Sequence, residues 1–194
     1  MNRFSMAVAL SAVLGLAGCG DKPEPKAQAV VGSAAPAAAQ APAAQLEPRY
    51  EATLAQGIDF TKQGYPNFLA EVSGMSKHES WGRWTEAAAG PVAKFRFKQA
   101  LPKTFTLEIT ANAFGPNNGA PVKVRVGSIE KTFVITPQKT WEEAATYRLA
   151  FETDGTADTM EITPPKPTSP NEIDPKNTDT RKLGIAFISL RIKG

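Results

Sequence analysis

The residues best suited to chemistry lie in the run Ser76-Lys77-His78-Glu79-Ser80-Trp81-Gly82-Arg83-Trp84, which holds two of the chain's three tryptophans. In an extended backbone Glu79, Trp81 and Arg83 share one face, and Trp84 points to the other. An indole plane beside a guanidinium fork and a carboxylate is a common way to hold a sugar or an anionic headgroup. The same residue types also serve packing, with the tryptophans as core anchors and Glu79 and Arg83 as a supporting ion pair. Both readings stand at this point.

Catalysis finds little support elsewhere. An enzyme of this size needs a nucleophile with its base, a carboxylate pair or a metal site. The single histidine, His78, has no Gly-x-Ser-x-Gly elbow to serve, and one histidine with one cysteine argues against zinc. Asp154-Gly155-Thr156-Ala157-Asp158 offers oxygen ligands of the kind calcium takes, but a polar turn between strands accounts for it more simply. No cofactor is expected. A formal charge of +3 over 194 residues is no nucleic-acid signature.

The lone cysteine, Cys19, has a chemistry of its own. Arg3 supplies a short positive region, and Phe4 to Leu16 is an apolar run of signal-peptide length. That run falls short of the about 20 residues a transmembrane helix needs. It ends in Leu16-Ala17-Gly18-Cys19, which resembles the lipobox of bacterial lipoproteins, where the thiol receives diacylglycerol before cleavage. At about 0.8 kcal/mol per buried methylene, two acyl chains already anchor a protein stably. The expectation is a signal peptide over 1–18 and a mature chain held on a membrane by lipid at Cys19, facing the periplasm. An acid at the second place after the cysteine, Asp21, rather than the first favours the outer membrane.

These features must be positioned by the rest of the chain. Residues 19–49 read as the lipidated cysteine and an alanine- and proline-rich linker, in which Pro36 and Pro42 interrupt any helix. Residues 50–194 read as one domain. There the period is two. Phe105, Leu107, Ile109, Ala111 and Ala113 alternate with Thr106, Glu108, Thr110 and Asn112, and Val122, Val124 and Val126 with Lys123 and Arg125. Gly127-Ser128 marks a tight hairpin. Ile129, Phe133 and Ile135 continue the apolar face, with Lys131 as the exception. Shorter strands are expected at 58–60, 68–74, 92–97, 147–151 and 160–162, and Leu183 to Ile192, apolar on both faces for much of its length, suits a central strand. The fold class expected is all-β: a two-sheet antiparallel β-sandwich, a jelly roll like that of carbohydrate-binding modules, with the proline-rich loop 164–180 over one end.

The run Gly74 to Thr85 resembles the G-x-S-x-x-E-x-W-G-R-W-S/T stretch of a bacterial envelope domain of no established activity. That domain forms the C-terminal tail of some phosphoglycerol transferases acting on periplasmic glucans and of predicted membrane glycosyltransferases. Two further stretches are similar to it: Phe105 to Asn117, and Thr163-Pro164-Pro165 through Arg181-Lys182-Leu183-Gly184-Ile185. The resemblance covers the appended domain and not the catalytic one, whose metal-dependent site needs several Asp and His residues. It implies a non-catalytic sandwich associated with glycan or glycolipid modification. The ligand residues expected are Glu79, Trp81, Arg83, Trp84 and Arg181, with an envelope glycan or a glycosyltransferase-type protein as partner. The alternative is an adaptor that docks on a membrane or periplasmic protein through a sheet face and takes no small ligand.

Overall fold

Period-two alternation becomes two sheets laid face to face. The computed structural model describes residues 47–138 and 143–194, so the signal peptide, Cys19 and nearly all of the linker lie outside the described residues. The strands are β1 (Arg49–Tyr50), β2 (Ile58–Asp59), β3 (Tyr65–Pro66), β4 (Leu69–Ser73), β5 (Arg83–Glu86), β6 (Ala93–Phe97), β7 (Thr104–Ala113), β8 (Pro121–Val126), β9 (Ile129–Val134), β10 (Ala145–Glu152), β11 (Thr159–Thr163) and β12 (Leu183–Lys193). Among the described residues, helix is confined to a turn of 3-10 helix at Gly115–Asn117 and to α1 (Pro170–Ile173).

One five-stranded sheet runs β10-β7-β12, with β5 and β2 in tandem along the far edge of β12; the other runs β4-β6-β11-β8-β9. From β5 to β12 the order is 5-12-7-10 in one sheet and 6-11-8-9 in the other, both antiparallel, with β4 extending the second. That is the jelly-roll arrangement. The doubly apolar β12 is central, as its composition requires. A separate parallel pair, β1 and β3, holds the start of the domain against the body.

The core fills the space between the sheets. Phe105, Leu107, Ile109 and Ala111 from β7 meet Val122, Val124 and Val126 from β8, Met160 and Ile162 from β11, and Phe95 from β6, all 2% exposed or less. Phe60 stacks on Phe187 at 5.3 Å and meets Phe95 edge-on at 6.1 Å. Lys131, the exception on its strand face, lays its ammonium 5.8 Å from the Phe151 ring centroid. The hairpin turn at Gly127 takes φ 57°, as a tight turn with glycine first requires. A register shift in β12 between Phe187 and Ser189 puts one extra residue, Ile188, into the strand.

Candidate functional site

The segment that carries Trp81 is a hairpin, not a straight strand. Glu79 and Gly82 exchange both backbone hydrogen bonds at 3.0 Å, which places Ser80 and Trp81 at the tip of a tight turn. Gly82 has φ 150°, and a Cβ there would lie 2.2 Å from the carbonyl oxygen of Phe187. Only glycine lets the turn come this close to β12. Past the turn, β5 pairs with β12 in the register Trp84 to Ala186 and Arg83 to Phe187.

This turn corrects the face assignment made from extended geometry. Arg83 does not share a face with Trp81 and Glu79: cross-strand partners share a face, so Arg83 points inward with Phe187, and it is 1% exposed. Its two terminal nitrogens each donate to a carboxylate oxygen of Glu47 at 2.7 Å, and its guanidinium carbon sits 4.6 Å from the Tyr65 ring centroid. Its Nε has no hydrogen-bond partner among the described residues. The hydrogen bonds from Arg83 hold the Glu47 carboxyl below its ordinary value, and burial pushes the Tyr65 phenol up. The ion pair expected between Glu79 and Arg83 is therefore replaced by two separate pairs.

Trp84, in place of Arg83, shares a face with Trp81. The two rings meet edge to face at 5.2 Å, and Phe114 meets Trp84 from another side at 5.9 Å. Trp84 is 7% exposed and packs with Leu183 and Ala186, whereas Trp81 is half-buried over this small cluster. So Trp84 is an anchor and Trp81 is the ring nearer water.

Glu79, Trp81 and Arg181 do come together. The indole N–H of Trp81 donates to one oxygen of Glu79 at 2.9 Å, and Arg181 donates to the other at 3.1 Å. Arg181 also forks onto Asp179, at 2.7 Å for its Nη2 and 3.1 Å for its Nε. Asp179, with a lesser contribution from Glu79, holds the guanidinium charged well above its ordinary range. Between 28% and 38% of each of the Asp179, Glu79 and Arg181 side chains is exposed. The result is an aromatic plane whose edge is fixed by a carboxylate, next to an arginine held in place from both sides. Such an arrangement can stack on a pyranose ring and exchange hydrogen bonds with its hydroxyls.

Other candidates resolve into structure. The His78 ring nitrogen Nε2 lies 2.9 Å from the Thr61 carbonyl oxygen. One oxygen of Asp154 accepts from the Thr156 amide and hydroxyl, both at 2.8 Å, so this carboxylate closes the turn between β10 and β11. Among the described residues no group of three or more His, Cys, Asp or Glu side chains is arranged to hold a metal ion. No helix among them is long and apolar enough to cross a membrane. Asp179 and Glu47 were missed in the sequence. Asp179, two residues before Arg181, was open to discovery; Glu47 was hidden because it follows a stretch whose composition reads as linker.

Residues 44–194 match the family model described as "Domain of unknown function (DUF7024)". The chain belongs to this family. It is also similar to the phosphoglycerol transferase I of Escherichia coli O139:H28 (strain E24377A / ETEC) and that of Shigella boydii serotype 18 (strain CDC 3083-94 / BS512). Each is 40% identical over 138 residues, which is 71% of this chain and 17% of the relative. The chain therefore covers only a small part of these relatives, and the expected resemblance to a domain appended to such transferases holds. No solved structure matches it.

Proposed function

We propose that the chain is a lipid-anchored, periplasm-facing lipoprotein whose jelly roll binds a glycan or glycolipid of the envelope and performs no catalysis. The observation that carries this is the fixed cluster of Trp81, Glu79, Arg181 and Asp179. Trp81 is the stacking plane, Arg181 the donor to hydroxyls or acidic groups, and Glu79 the acceptor that sets the indole orientation. Arg83 and Trp84 support this cluster from within the fold and touch no ligand.

Two things support the reading beyond geometry. The similarity falls on a domain carried by proteins named phosphoglycerol transferases, and it spans 17% of their length. A single histidine in 194 residues does not furnish the several Asp and His ligands of a metal-dependent transferase site, which supports reading the shared part as the appended one. The lipobox at Cys19 supplies the address. The test is binding of a neutral β-glucan oligosaccharide to the full chain in detergent, measured by calorimetry. Saturable binding that Arg181→Gln weakens supports the reading; retention by a membrane protein without any glycan binding favours an adaptor.

A further inference from the structure

An edge strand offers its free N–H and C=O groups to any extended chain that reaches it. Among the described residues the two large sheets end in β4, β9, β10 and the tandem pair β5 and β2. All but β10 are blunted. β4 carries a register shift between Leu69 and Glu71, and Arg49 donates to its Leu69 carbonyl at 3.2 Å. β2 and β5 are two and four residues long. β9 pairs Lys131 with the buried Val124, so a lysine faces inward in the middle of that edge. Bulges, short strands and inward charges are the devices by which sheets resist pairing with other chains.

β10 has none of these devices. Its eight residues pair with β7 without a register shift, and none is glycine or proline. Its inward side chains, Ala145, Tyr147, Leu149 and Phe151, carry no charge. One step past β10 in the same register, Thr153 donates its amide to the Lys103 carbonyl at 2.6 Å. Bonded positions alternate along an antiparallel strand, so Phe151, Leu149 and Tyr147 also turn their amides to β7. Thr146, Arg148, Ala150 and Glu152 therefore turn N–H and C=O to the open edge, and all four are exposed.

We infer that β10 docks a second copy of this chain, the two strands pairing antiparallel about a two-fold axis at Ala150. Charge chooses the partner and the register. An axis at Ala150 sets Arg148 opposite Glu152 of the second copy, and Glu152 opposite its Arg148. The Arg148 side chain is 65% exposed, and Glu152 has no ion-pair partner among the described residues. An axis at Arg148 or Glu152 opposes like charges, and one at Leu149 sets Arg148 against Ala150. One at Phe151 sets Arg148 against Asp154, which lies past the strand and closes a turn onto Thr156. In the Ala150 register, Arg148, Ala150 and Glu152 meet positions whose amides also face the open edge, so each pair exchanges both hydrogen bonds. On the inner face Leu149 meets Phe151 of the second copy, which carries the core across the junction. β5, next to the Trp81 hairpin, lies on the opposite side of the same sheet, so the Trp81 cluster of each copy stays uncovered.

The test is sedimentation equilibrium of the full chain in density-matched detergent, combined with an exchange of charges. The wild type should form dimers. Arg148→Glu and Glu152→Arg should each weaken the dimer about tenfold, because each sets like charges opposite one another across the axis. Mixed in equal amounts, the two variants should associate as tightly as the wild type, since each supplies the charge the other lacks. Ala150→Cys reads the register separately and needs no charge change. Bonded pairs in an antiparallel ladder have Cα atoms about 5.5 Å apart, within disulfide reach, so mild oxidation should link two chains through position 150. Thr132→Cys on β9, oxidised in parallel, should give no more linkage than the wild type. A wild type still monomeric at about 100 μM overturns the inference. So does a mixture that fails to associate while both variants melt like the wild type, or a position 150 that links no better than position 132.

Discussion

At the scale of single residues, Arg83 does not take the place beside Trp81 that its spacing suggests. Alternation in an extended chain puts both on one face, but the Glu79–Gly82 turn rotates them apart, and a buried guanidinium with one carboxylate partner results. No periodicity rule sees this, because the turn depends on Gly82 approaching β12, a contact between residues about a hundred positions apart. The Arg83–Glu47 pair has a pH consequence. The Glu47 carboxyl is lowered from an ordinary value of 4.5, chiefly by its hydrogen bonds from Arg83. A lowered acid stabilises the fold fully above its unfolded value and loses that contribution as pH falls through the folded value. Glu47→Gln should therefore cost about 2 kcal/mol at neutral pH, less than a fully buried pair because the carboxylate is partly wet, and should flatten the loss of stability below about pH 4.5. Chemical denaturation at pH 7 and at pH 3.5 checks both; equal stability of variant and wild type at pH 7 contradicts the role given to the pair. The two tryptophans separate in the same way. Trp84→Ala removes a buried ring and should cost about 3–5 kcal/mol, whereas Trp81→Ala should cost under about 2 kcal/mol. Thermal melts in which Trp81→Ala is the worse of the two would make Trp81 packing.

At the scale of elements, most of the sandwich was open to reading. β7 and β8 alternate cleanly, β9 does so with Lys131 as its exception, the Gly127 turn has its required residue, and β12 declares its central place by being apolar on both faces for much of its length. The elements that escaped are short and specified from a distance. β5 is four residues long with three buried in succession, so it has no alternation to read. β1 and β3 are two residues each and pair in parallel. Glu47 and Pro48, left in the linker by composition, contact the body: Tyr65 donates its amide to the Pro48 carbonyl at 2.9 Å, and Glu47 holds Arg83. A chain that begins at Ala44 should then be measurably more stable than one that begins at Arg49, by an amount similar to that of Glu47→Gln. Matching urea midpoints for the two chains would show that the first contacts contribute nothing.

At the scale of the whole molecule, a jelly roll with a fixed aromatic and ionic cluster on one hairpin belongs to a family of unknown function and is similar to a small part of much larger transferases. The proposed anchor makes a prediction independent of the fold. Cys19→Ser should abolish incorporation of a palmitate analogue during metabolic labelling, and label persisting in the variant would exclude the lipobox. The central claim is that Trp81, held by Glu79 and flanked by Arg181, is a sugar platform. Its most direct measurement is the calorimetric affinity of the full chain and of Trp81→Ala for the neutral β-glucan oligosaccharide. The account predicts saturable binding by the wild type and a loss of about 1–3 kcal/mol in the variant, with its thermal melt close to wild type. Binding unchanged by Trp81→Ala, in a variant shown to be folded, would contradict it.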